Sequence, residues 1–138
     1  MMKSILKFAM LSAAFVVSGA SADDLGKSKQ ILCSVLNVNI CQSDGVCVAA
    51  LPSDLNIPQF VEVDTKTGKI STTAASDENR ETEASQVIRS DDHVLIQGDE
   101  LGRAFSLMIQ VSTGLASFAS VKDGNATVVF SACTPKPD

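Results

Sequence analysis

The sequence predicts an all-β protein: a small antiparallel meander closing into a barrel or sandwich, behind a cleaved N-terminal signal peptide. Three observations carry this. From Gln59 onward, turn signals recur about every 10–12 residues between β-rich runs. Arg103 to Val111 alternates cleanly, with Phe105, Leu107, Ile109 and Val111 on one face and Ala104, Ser106 and Gln110 on the other. No connection after Ile88 is long enough for a parallel crossover, so the last strands should run up and down beside one another.

The elements follow in order. Residues 1–22 read as an export signal. Lys3 and Lys7 give a positive start, Phe8 to Val17 an apolar run too short to span a bilayer, and Ala20-Ser21-Ala22 a signal-peptidase site. No cysteine lies at that boundary to carry a lipid anchor. Residues 23–138 then form a single disulfide-stabilised β domain of 116 residues, too short for two domains. Asp24 to Lys29 is charged and expected to fray. Gln30 to Ile40 reads as the first strand and Val46 to Leu51 as the second. Pro52 and Pro58 bracket a loop or short helical turn. Phe60–Asp64 and Lys69–Thr73 form a hairpin through Thr65-Lys66-Thr67-Gly68. Ala74 to Ser85 is one long polar loop able to hold a short helix. Gln86–Arg89 leads through Ser90-Asp91-Asp92 into Val94–Gln97, and Asp99-Glu100-Leu101-Gly102 turns the chain again. Leu115–Val121 and Ala126–Thr134 complete seven or eight strands, and Pro135 to Asp138 is a mobile tail.

Four cysteines, Cys33, Cys41, Cys47 and Cys133, lie in the exported part, an even count that implies disulfides. Three pairings are possible. The Ser43-Asp44-Gly45 turn favours Cys41 with Cys47, which leaves Cys33 with Cys133. That second bridge would tie the first strand to the last and remove the sheet edges. A sandwich bridged between its sheets is the alternative. The cysteines have no C-x2-C spacing for zinc or redox work.

The chain carries a net charge of −5, and losing Lys3 and Lys7 makes it −7. Such a chain repels phosphate backbones and lacks a basic face for anionic lipid, so neither nucleic acid nor stable membrane anchoring is expected. No second apolar run is long enough to span a membrane.

Chemistry is sparsely supplied. His93 is the sole histidine, and with Ser90 and Asp91 or Asp92 it makes a hydrolytic triad only on paper, without a Gly-x-Ser-x-Gly elbow. The carboxylate pairs Asp77/Glu78, Asp91/Asp92 and Asp99/Glu100 fall in turns, where their bland role is solubility rather than acid–base work, and no calcium loop surrounds them. No catalytic residue, metal ligand or cofactor is therefore assigned. Phe60, Phe105, Phe118 and Phe130 are expected in the core, because the chain has no Trp or Tyr. Arg103, at the mouth of the best-patterned strand, either pairs with Asp99 or Glu100 or receives an acidic ligand group at a barrel rim.

Three N-terminal cysteines, Asp54-Leu-Asn-Ile-Pro-Gln-Phe60 with Val63-Asp64, Gly98 with Gly102-Arg-Ala-Phe105, and the ending Val128-Val-Phe-Ser-Ala-Cys-Thr-Pro135 form a set. The set resembles small exported proteobacterial proteins of uncharacterised function. The likeness spans nearly all of the exported part, and it implies no activity and no functional residue. The meander rhythm is similar to that of calycin-type barrels in architecture alone, since the Gly-x-Trp start of lipocalins is missing.

The expected role is an exported, non-catalytic binding protein, periplasmic or secreted, for a small apolar or amphipathic ligand. The alternative is a protein-binding module, such as an enzyme inhibitor or envelope assembly factor, working through loops and acidic turns. The small size favours an interior filled by side chains.

Overall fold

A computed structural model describes residues 25–137. The proposed signal peptide at 1–22 lies outside the described residues. Among them the chain is all-β and antiparallel, with strands β1 (Gln30–Cys41), β2 (Cys47–Ala50), β3 (Phe60–Asp64), β4 (Ile70–Thr72) and β5 (Glu81–Thr82). Strands β6 (Gln86–Arg89), β7 (His93–Glu100), β8 (Arg103–Gln110), β9 (Leu115–Lys122) and β10 (Asn125–Pro135) follow. Ten strands replace the seven or eight expected; the two-residue β5 lies inside the stretch read as one long polar loop. Their order is β5-β4-β3-β1-β10-β9-β8-β7-β6, with β2 also on β1, and the sheet curls into a half-barrel.

The first and last strands pair along nearly their whole length, from Ile31 opposite Pro135 to Cys41 opposite Ala126. This places them in the middle of the sheet. It corrects the expectation that their pairing would close a barrel. It joins an N-terminal meander to a C-terminal one, and β5 and β6 become the free edges. Residues 83–85 cross from one edge to the other. The seam is held by Ser85 N–H donating to Gln97 O at 2.8 Å and by Thr82 Oγ1 donating to Glu100 Oε2 at 3.0 Å. Arg89 of β6 also donates to Thr65 Oγ1 and to the carbonyl of Gly26. Gly68 lies under this crossing: a Cβ there would sit 2.6 Å from Ala84 Cβ and 2.7 Å from a Val87 methyl.

The two disulfides, Cys33–Cys133 and Cys41–Cys47, each join residues directly opposite in register. They fit an oxidising compartment. Between them β1 carries a register shift at Val35/Asn37. Leu36 is the extra residue, so odd positions face inward before it and even ones after it. At the same point β1 changes its second neighbour. Its first half pairs with β3 and its last residues with β2. Val35 and Gln59 fasten the junction by two hydrogen bonds, of 2.9 and 2.7 Å.

The main core packs Leu25, Ile31, Cys33, Val63, Val94, Ile96, Phe105, Leu107, Ile109 and Ala116. A second, smaller cluster holds Val35, Val38 and Val129. Strand β8 alternates as its sequence reads, with Phe105, Leu107 and Ile109 buried. Several expectations change. Leu25 is 2% exposed and belongs to the core, so the stretch before β1 is docked rather than frayed. The tail is paired as far as Lys136, whose N–H donates to Gln30 O and whose Nζ meets Glu62 at 2.8 Å. Residues 74–85 form bends and β5, not a helix, because β4 offers that stretch a sheet edge. Asp99 and Glu100 belong to β7, and the turn is only Leu101-Gly102. Phe60 and Phe130 are 46% exposed, because the strand pleat turns both to the convex face. Pro52–Leu55 is a single 3-10 turn ended by Asn56 in the left-handed region.

Replacing Cys33 and Cys133 together by alanine should destabilise by about 4–5 kcal/mol, and replacing Cys41 and Cys47 together by about 2 kcal/mol, from the lengths of the loops they close. Urea melts without reductant give both values. In the same assay Ile109→Ala should cost about 2–5 kcal/mol and Gln110→Ala no more than about 0.5 kcal/mol, since only the first empties the core.

Candidate functional site

The concave face of the half-barrel holds a cavity of about 260 Å3. Its walls are apolar: Val35 from β1, Val61 from β3, Phe105 and Leu107 from β8, Phe118 from β9 and Val129 from β10. The segment between the two prolines closes one side through Leu55, Ile57 and Pro58. Phe105 and Phe118 sit diagonally across β8 and β9 with ring centroids 5.9 Å apart. Phe105 also lies over Gly98, directly opposite in register. A Cβ at Gly98 would come within 2.7 Å of the ring.

The opening has a cause in sequence. The cavity lies between the two core clusters, where the inward positions of β9 and β10 are Ser120, Thr127 and Ser131. These are small, and no tryptophan or tyrosine is available to fill the gap. The expected filled interior is thus corrected: strand count bounded the lumen, but side-chain volume on two strands decided it. The inward hydroxyls of β9 and β10 could have been found by extending the β8 alternation to those strands.

The rim lies where the β7–β8 and β9–β10 hairpins end. Arg103, Ser120 and Thr127 line both the main cavity and an adjoining rim cavity of about 200 Å3, which Lys122, Asp123 and Asn125 complete. Arg103 is opposite Glu100 in register, yet Glu100 accepts its hydrogen bond from Thr82. Among the described residues the Arg103 guanidinium has no hydrogen bond or ion pair. Neither anticipated pairing, with Asp99 or with Glu100, forms. Arg80, across the mouth, donates to Asn56 O at 2.8 Å and lies 3.6 Å from Glu78. Lys122 Nζ donates to Leu101 O at 3.2 Å.

The remaining sequence candidates lie elsewhere. His93 begins β7, at the end opposite Glu100, about 23 Å along the strand. Ser90 Oγ is 3.1 Å from His93 Nδ1, and it accepts the N–H groups of Asp92 and His93. Those bonds fasten the turn. Among the described residues no three His, Cys, Asp or Glu side chains come together as metal ligands. No helix among them is long and apolar enough to cross a membrane.

The convex face is uncharged over β8, β9 and β10, and its exposed apolar residues are Met108, Leu115, Val121 and Phe130. Charge sits instead on the outer strands. Asp64 ends β3, and the N–H groups of Thr67 and Lys66 hold its carboxyl below the usual carboxylate range. Lys69 is raised by its contact with Glu81 at 2.5 Å.

No family model matches the chain, and no curated protein or solved structure matches it either.

Two outcomes follow. Ser131→Val adds apolar surface inside an apolar wall and should raise stability by about 0.5–1 kcal/mol in thermal melts, at the expense of cavity volume. Asp64 has a lowered folded value, so its contribution is full above its ordinary value of about 3.9 and fades as pH falls through the folded one. The stability gap between wild type and Asp64→Asn should therefore be constant near neutral pH and shrink in acid. Parallel urea melts from neutral pH to about pH 3 measure it.

Proposed function

We propose that this is an exported, non-catalytic binding protein of the periplasm or the medium, and that it holds a small ligand with an apolar body inside the half-barrel. The cavity carries this reading. Ligand sites are mostly concave and apolar with a few polar groups, and enclose about 300–1,000 Å3. At about 260 Å3 this one sits just below that range, so its ligand is small. The apolar walls and polar rim fit a molecule that enters tail first. The two disulfides support the compartment. With its hydroxyl occupied by the turn, the Ser90–His93 pair gives no support to a hydrolytic reading.

The protein-binding alternative, an inhibitor or envelope assembly factor, draws on one observation: the uncharged convex face on which Leu115 and Phe130 are exposed. It moves that reading away from the acidic turns.

Native mass spectrometry of protein purified from its own periplasm separates the two. The expected result is a small adduct, lost in Thr127→Trp, which puts a large side chain in the mouth while circular dichroism stays unchanged. A bare mass, with no small molecule recovered by solvent extraction, would overturn the ligand reading. A protein-sized adduct lost in Phe130→Glu would replace it with the alternative.

A further inference from the structure

We infer that the ligand is a monocarboxylate with a short apolar tail, its head received by Arg103, Ser120 and Thr127 at the rim. This rests on the cavity being the binding site.

The rim is the one place where the inner cavity and the rim cavity share residues, and those residues are one guanidinium and two hydroxyls. Ser120 and Thr127 are directly opposite on β9 and β10, and both face inward. Across β8 and β9, Ser120 faces Phe105, so the apolar wall begins next to the hydroxyls. A ligand entering here passes from cation to hydroxyl to ring within a few residues. That order matches a carboxylate with a hydrocarbon tail.

Charge narrows the class. The chain as a whole is acidic, at −5, yet the cavity mouth and rim bring together Arg80, Arg103 and Lys122 against Glu100 and Asp123. Arg80 is taken up by Asn56 and Glu78, and Lys122 by the Leu101 carbonyl. Glu100 is held toward Thr82. The Arg103 guanidinium alone of the three cations has neither a hydrogen bond nor an ion pair among the described residues. A guanidinium offers two parallel N–H groups to a planar carboxylate, a match that an ammonium lacks. One unpaired cation beside two carboxylates suits a monoanion. A phosphate monoester, near −2, would face Glu100 and Asp123 with half its charge unanswered.

The test compares four probes of equal chain length, octanoate, octanol, octylamine and octyl phosphate, by isothermal titration at low salt. Octanoate should bind about tenfold or more tighter than octanol, as expected for charge-assisted hydrogen bonds. Arg103→Gln should bring the two level, and Arg103→Lys should fall between, since it keeps the charge and loses the fork. Arg103 is exposed, so these variants should fold as the wild type does. Equal binding of octanoate and octanol, both lost in Thr127→Trp, would overturn the carboxylate inference and leave the cavity reading standing. A preference for octylamine or octyl phosphate would overturn it by reassigning the head group. No binding by any probe would overturn both.

Discussion

The pairing of β1 with β10 is the contact on which the rest of the structure depends. These two longest strands lie side by side at the centre of the sheet, and their register fixes the position of every other strand. Residues from opposite ends of the chain must meet for this ladder to form, so its loop-closure entropy is high. Cys33–Cys133, spanning 100 residues, removes much of that cost from the unfolded chain. The bridge is buried on the concave side, where Cys33 is part of the core and also touches the cavity. One covalent contact therefore serves both the fold and the site.

The bulge at Leu36 accounts for the shape around that axis. An extra residue bends β1 and reverses which of its side chains point inward. It lets one strand take β3 along its first half and β2 along its last residues. The curl that results draws Leu55, Ile57 and Pro58 over the concave face, where they cover the cavity. The opposite seam is not a strand ladder. The chain itself crosses it, with Thr82–Glu100 and Arg89–Thr65 as side-chain fastenings. Such a seam has fewer backbone bonds than a closed barrel, so local opening should begin there.

Charge is distributed by layer. The convex face over the C-terminal strands is uncharged, the N-terminal strands carry the ion pairs, and the rim gathers cations in an otherwise acidic molecule. Thr82 holds Glu100 away from Arg103, its nearest partner in register. Closing the seam and freeing the guanidinium are thus two results of one hydrogen bond.

The sequence by itself determined the all-β class, the antiparallel meander of β6 to β10 and the inward face of β8. These are local matters of turn chemistry and a two-residue period, written in contiguous residues such as Phe105, Leu107 and Ile109. The short cystine was readable for the same reason, because Ser43-Asp44-Gly45 turns the chain between Cys41 and Cys47. Arg103 could be marked as a rim residue from its place at the start of a strand. The cysteine count already tied the first strand to the last, but the tertiary structure alone decided that β1 and β10 occupy the sheet centre, since which edges stay free is set by the assembly of both meanders. It alone decided that Leu36 is a bulge, that Phe60 and Phe130 face outward, and that Leu25 is core. The cavity belongs to this second group. It exists because Ser120, Thr127 and Ser131, unremarkable on their own strands, point into one space beside Phe105 and Phe118. Volume between strands is a property of their assembly, and no stretch of the chain encodes it alone.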